Sequence, residues 1–186
     1  MGDTSEKLPG DYIAGFVDGE GCFALKFRRD LKQNRGNKKF REYFYWNVEF
    51  AIVLRSDDIK ILNSIKETLK CGTVRIVHKQ NQVRFSIQNP KELKDKIIPF
   101  FKKYKLRAKK GMDFELWSEA VEIINNSRRK TLNIAKGQQG FTKQEMNKQD
   151  QKRLQEIRNQ MILYKSYRDK PFRWGSANTS ISANIK

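Results

Sequence analysis

Apolar positions along this chain switch between a period near 3.6 and a period of two, and the switches divide the first 126 residues into elements. Residues 8–19 predict a short helix. Pro9 sits near its start, where a missing N–H costs little, and Gly19–Gly21 let the chain turn at its end. From Cys22 to Arg29, Phe23, Leu25 and Phe27 alternate with Ala24, Lys26 and Arg28, which predicts a half-buried strand with one basic face. Residues 30–41 predict a polar, basic loop. Tyr43–Arg55 alternates over a longer span, with Phe44, Trp46, Val48, Phe50, Ile52 and Leu54 on one side. Tyr43, Tyr45, Asn47, Glu49, Ala51, Val53 and Arg55 form the other. Ser56 or Asp57 can cap a helix to about Lys70, whose apolar stripe is Ile59, Leu62, Ile65 and Leu69. Strands near 73–79 and 82–88 about a turn at Gln80–Asn81 predict a hairpin. A helix from Pro90 to about Tyr104 follows. Another, Met112–Asn126, carries Phe114, Trp117, Val121 and Ile124 on one side.

The order α-β-β-α-β-β-α-α predicts an α+β fold, an antiparallel sheet covered by helices on one face only. Past residue 126 the pattern thins, which separates a core (1–126) from a basic C-terminal extension (127–186). The extension holds 14 Lys and Arg against four Asp and Glu. It predicts a loop over 127–140 and a capping box at Thr142–Glu145 opening a helix to about Tyr164. Met146, Leu154, Ile157 and Met161 are sparse apolar positions, so weak docking is expected, followed by a polar, basic tail.

Charge narrows the class of partner. In 186 residues, 39 Lys and Arg against 21 Asp and Glu give a formal net charge of +18, and the usual partner of such a surface is a polyanion. An apolar fraction of 38% with 12 Phe, six Tyr and three Trp is too rich for a disordered basic tail. With one histidine (His78) and two isolated cysteines (Cys22, Cys71), a zinc site and a Ser-His-Asp triad are poorly supported. Both cysteines sit in apolar strand-like runs and read as buried, reduced thiols in a reducing compartment. No apolar run approaches a membrane span, so a soluble protein with no membrane partner is expected.

The second face of the sheet is the informative one. Lys26, Arg28, Tyr43, Tyr45, Asn47, Arg55, Arg75, Lys79, Arg84, Ser86 and Gln88 mix cations with hydrogen-bonding side chains, the set that contacts phosphates and base edges. These are the candidate DNA-binding residues. In Tyr12–Gly21 (YIAGFVDGEG), Gly15 and Gly19 stand four apart, as do Ala14 and Asp18. A helix here has a bare stripe along which two copies could meet backbone to backbone. Asp18 and Glu20 fall at the helix's C-terminal end, where the macrodipole disfavours negative charge. A divalent cation between carboxylate and phosphate would resolve that conflict.

The stretch IAGFVDGEG, with Tyr12 before it and Cys22-Phe23 after, resembles the LAGLIDADG motif of homing endonucleases. The resemblance covers residues 8–126, where the element order matches an αββαββα core with a saddle-shaped antiparallel sheet. A single motif copy implies a homodimer, with Ala14, Gly15, Asp18 and Gly19 at the paired helices. It implies site-specific cleavage of double-stranded DNA at a long, near-palindromic site, as in intron homing, dependent on Mg2+ or Mn2+. By position, Glu20 would be the metal ligand, the Gly19 carbonyl a further metal contact, and Asp18 structural. A basic residue that stabilises phosphate charge falls in Leu106–Lys110, with Lys109 and Lys110 the catalytic candidates and Arg107 behind them. Leu54 or Arg55 stands where the family often carries a water-positioning polar residue, a departure from its pattern. The alternatives are a maturase that binds intron RNA and a DNA-binding protein that has lost cleavage.

Overall fold

In the computed structural model, residues 7–33, 40–129 and 146–165 are described. Helix α1 (Gly10–Glu20) leads into β1 (Gly21–Gln33), which pairs with β2 (Phe40–Arg55). A 3-10 turn (Ser56–Asp58) opens α2 (Ile59–Leu69). The hairpin β3 (Thr73–Val77) and β4 (Gln82–Ile87) follows. The four strands form one antiparallel sheet in the order β1-β2-β4-β3. The next helical stretch is α3 (Pro90–Glu92), a π turn (Leu93–Ile97) and α4 (Ile98–Lys103). Pro99 lacks an N–H and its ring crowds the carbonyl four residues back, and the turn just before it is widened, with the Ile98 N–H reaching Leu93. Helices α5 (Lys110–Arg129) and α6 (Lys148–Lys165) complete the described chain. The fold is α+β.

Alternation places Phe23, Val48, Phe50, Ile52, Val83, Phe85 and Ile87 on one sheet face, all buried under α2, the 90–103 stretch and α5. Phe23 is the hub. Its ring centroid lies 5.2 Å from Phe50, 5.8 Å from Phe101, 5.4 Å from Phe114 and 5.0 Å from Trp117. Stacked, edge-on and tilted contacts of this kind add to the area each ring removes from water. Gly72, where α2 gives way to β3, has φ +88°. A Cβ there would come within 2.6 Å of the Phe85 ring, so only glycine fits.

Three expectations change. The basic loop expected over 30–41 is strand at both ends, residues 30–33 and 40–41, with Asp30 opposite Tyr43 and Leu31 opposite Glu42; residues 34–39 lie outside the described chain. Two polar contacts cross the strands there, the Arg29–Glu42 ion pair and the Tyr45 hydroxyl donating to Asp30 at 3.2 Å. The last helix begins at Lys148, capped by the Asn147 side chain, which accepts the Asp150 N–H at 2.7 Å. The Thr142–Glu145 capping box and the tail beyond Lys165 lie outside the described residues. Docking of α6 is closer than expected. Leu154, Ile157 and Met161 are buried in the main core, and Arg153 forks onto Glu119 of α5 at 2.6 and 2.8 Å.

Candidate functional site

Two regions meet at the C-terminal end of α1. Ile13, Ala14 and Val17 are buried and hold the helix against the sheet, while Tyr12, Gly15, Gly19 and Glu20 are exposed. A Cβ built on Gly15 or Gly19 meets nothing within 4 Å, so this side of α1 is open. The bare stripe is therefore Gly15 and Gly19 alone. Ala14, expected to share it, is only 3% exposed inside the chain's own core, because a residue one position from Gly15 is rotated about 100° away from it.

Asp18 turns the other way. Its Oδ2 accepts the backbone N–H groups of Arg107 at 2.7 Å and Ala108 at 3.2 Å, which ties the loop before α5 to the end of α1. That is a structural use of the carboxylate. Its Oδ1 is buried without a partner among the described residues. Lys110, in the first turn of α5, donates through Nζ to the carbonyls of Asp18 at 2.8 Å and Gly19 at 2.5 Å. An ammonium on the last carbonyls of a helix suits both their unsatisfied lone pairs and the negative end of the dipole. The α5 start lies two residues earlier than expected, which brings Lys110 onto the helix. Lys109 is exposed, and its carbonyl accepts the Met112 N–H in that first turn.

Glu20 is exposed and makes no hydrogen bond or ion pair within the described chain. Its carboxylate is a hard oxygen donor, which fits Mg2+ or Mn2+ rather than a softer metal, whereas the Gly19 carbonyl already accepts the Lys110 ammonium and has one lone pair left to offer. Among the described residues no three or more His, Cys, Asp or Glu cluster as a metal site. One chain thus supplies one carboxylate and one carbonyl.

The polar sheet face is less free than its sequence suggests. Glu49 lies on it, only 2% exposed. Its Oε2 accepts Lys26 at 3.2 Å, and its Oε1 accepts Arg84 at 2.6 Å and Gln88 at 2.9 Å. Burial pushes the Glu49 pKa up. Hydrogen bonds from Arg84 and Gln88 and the charges of Arg84 and Lys26 outweigh this and leave it below the ordinary carboxylate range. Sequence reasoning placed Glu49 on this face but gave it no role. Its signal was an acid between cations at cross-strand spacing, visible only once the register is known. Three of the expected DNA-contact residues are therefore tied to one buried acid.

The other candidates divide. Arg28 lies opposite Tyr45 and is exposed, and Ser86 and Arg75 line a cleft of about 350 Å³ with Gln88 and Glu92. Asn47, opposite Lys26, has a buried Oδ1 without a donor among the described residues. Arg55 folds back onto Asp57 through Nε at 2.8 Å and a second contact from Nη2. Lys79 is not on a strand, because β3 ends at Val77 and a 3-10 turn (His78–Gln80) carries it to Asn81, whose φ of 49° closes the hairpin. Tyr43 pairs with Asp30 through the backbone; its side chain lies outside the described atoms.

Architecture and site define an α+β protein that gathers acidic and basic groups at the open end of one helix and along one sheet face. The chain belongs to the LAGLIDADG endonuclease family, whose profile matches residues 13–121. It is 29% identical over 116 residues to a probable intron-encoded endonuclease, Cox1-I1b, of Schizosaccharomyces pombe, covering 62% of this chain and 28% of that protein. It is 31% identical over 107 residues to probable intron-encoded DNA endonuclease 1 of Mycosarcoma maydis, covering 58% of this chain and 35% of the relative. It therefore spans about a third or less of these relatives' lengths. Among solved structures it resembles the I-LtrWI LAGLIDADG homing endonuclease bound to target DNA (TM-score 0.63, 23% identity, 82% of this chain and 44% of that one). It also resembles I-SmaMI bound to an uncleaved DNA target in the presence of calcium ions (TM-score 0.58, 23% identity, 83% and 45%). At such identity these likenesses establish the fold.

Proposed function

We propose that the chain is a site-specific, Mg2+-dependent DNA endonuclease that acts as a homodimer on a long, near-palindromic double-stranded site. The observation that carries this is the end of α1: an exposed Glu20 without a protein partner, beside Gly15 and Gly19 left open. Two such helices meeting along their glycines would bring one carboxylate from each chain to a common centre. Each solved relative leaves more than half its length outside the match, which is room for a second unit of this size.

Glu20 would hold the metal, joined by the Gly19 carbonyl once Lys110 turns from that oxygen toward a phosphate, and the metal when bound supplies an acidified water and neutralises the leaving oxygen. The chain's own groups do the remaining work. Lys110, beside the α1 carbonyls, keeps a positive charge where negative charge develops on a phosphate, with Lys109 next to it. Asp18 keeps the 107–108 loop in place, and with it the start of α5. The polar sheet face lies along the duplex, with Arg28 and Arg75 among its cations.

The test incubates wild type and Glu20→Gln with a target-site library in Mg2+ or Ca2+. Wild type is expected to cut in Mg2+ and to bind without cutting in Ca2+, and Glu20→Gln to bind without cutting in either. Metal-independent binding with no cleavage of any site would favour a DNA-binding protein without nuclease activity. Tight binding to structured intron RNA instead would favour a maturase. Gly15→Leu tests the pairing in an ultracentrifuge: the side chain has room within one chain, so a folded monomer is expected.

A further inference from the structure

The buried carboxylate on the polar sheet face needs a reason. A surface that only had to attract phosphate would gain nothing from an anion in its midst. Glu49 is 2% exposed, and a buried carboxylate persists only where paired charges and hydrogen bonds offset its lost hydration. Its partners come from two other strands: Lys26 from β1 and Arg84 from β4, with Gln88 just past β4.

The partners are not equivalent. Lys26 presents a rotatable point charge whose side chain is 47% exposed. Arg84 presents a planar fork, 36% exposed, with one terminal nitrogen held by Glu49. A guanidinium carries five N–H donors, so the others stay available outside that bond. Arg84 also lies directly opposite Arg75, a like-charge pair that repels unless something compensates. The Glu49 charge does so, and it also selects one orientation of the fork.

We propose that Glu49 is a positioning residue that fixes Arg84 to read a guanine edge in the major groove, a specificity role within the DNA reading above and dependent on it. Arginine bidentate to guanine O6 and N7 is the commonest specific base contact. A fork oriented before binding loses less freedom on contact than a mobile one. Glu49 need not touch the base.

Full-length wild type, Glu49→Gln and Arg84→Lys are bound to a library of randomised target sites in Ca2+, and the bound sites are sequenced. Wild type is expected to require guanine at one position of each half-site. Arg84→Lys keeps the charge but loses the fork, and its guanine preference should fall by roughly 5- to 150-fold. Glu49→Gln should relax the same position by about tenfold or more. Its affinity for sites lacking that guanine, and its log–log salt slope, should stay within about twofold, since Arg84 and Lys26 keep their charges. Arg84→Lys with its preference intact would overturn the proposal, and so would a Glu49→Gln loss spread evenly over all sequences. If Glu49→Gln fails to melt as a folded protein, Glu49→Asp, which keeps the charge but draws it one methylene back from Arg84, takes its place with the same relaxation expected. A folded wild type that binds no duplex removes the underlying DNA reading instead, an outcome distinct from either.

Discussion

The two faces of the sheet are closed by different means. The covered face is shut by apolar side chains: Phe23 and Phe50 lie against Phe101, Phe23 also against Phe114 and Trp117, and Phe85 against Phe50. The open face is held by one carboxylate and three donors. Packing needs only that apolar atoms recur with the right period, whereas a hydrogen-bond network needs named partners at one register. The first tolerates exchange of one hydrocarbon for another of like volume. The second does not.

This difference can be tested from its strongest consequence down. Phe50→Ala should lower stability by about 3–5 kcal/mol in denaturant unfolding, since a fully buried ring leaves a cavity. A loss below about 1 kcal/mol would mean the covered face is not closed. The thiols make a second contrast. Cys22, expected to be buried, lies exposed on the open face because alternation sets it on the side of Lys26 and Glu49, while burial pushes the Cys71 thiol up to about 11 from an ordinary 9.0. At neutral pH that lowers the Cys71 thiolate fraction about a hundredfold, so a thiol reagent should modify Cys22 first and Cys71 only on unfolding. Equal rates at both would contradict the burial.

Glu49→Ala should cost about 1–2 kcal/mol, less than Phe50→Ala because Lys26 and Arg84 can turn to water. The same group carries an acid dependence. Its folded pKa is depressed, so its contribution is complete above the ordinary carboxylate value and is lost as pH falls through the lower folded value. The wild-type minus Glu49→Gln stability difference should therefore shrink below about pH 4.5. A difference that stays constant down to full protonation would exclude the ion network as its source. The smallest effect belongs to Arg153→Ala. Its bond to Glu119 is partly exposed and should contribute no more than about 1 kcal/mol.

The same contrast explains what could be read from the chain alone. Strand and helix identities on the covered side followed from Phe23, Phe50, Leu62 and Trp117, whose spacing is periodic. The family motif carried Glu20, Gly19 and Asp18. The β1–β2 arm beyond Arg29 is not legible because Asp30, Lys32 and Arg41 have loop-like composition, and the register even sets Lys32 opposite Arg41, so its pairing rests on the backbone ladder continued from Gly21–Arg29. Ala14 was assigned to the wrong side of α1 because small residues look alike in a stripe, and helix rotation alone separates it from Gly15. Lys79 was carried onto the polar face by extending the alternation through a turn. Glu49 was visible as a letter and invisible as a partner. Its neighbours stand 23, 35 and 39 positions away.

The grip of Lys110 and the 107–108 amides on the end of α1 joins residues 89 to 92 positions apart. Closing so long a loop carries an entropic cost that the packing of α1 and α5 on the sheet must offset. Until α5 has docked, the helix end bearing Glu20 has no brace. A locally opened chain therefore holds the Glu20 carboxylate loosely.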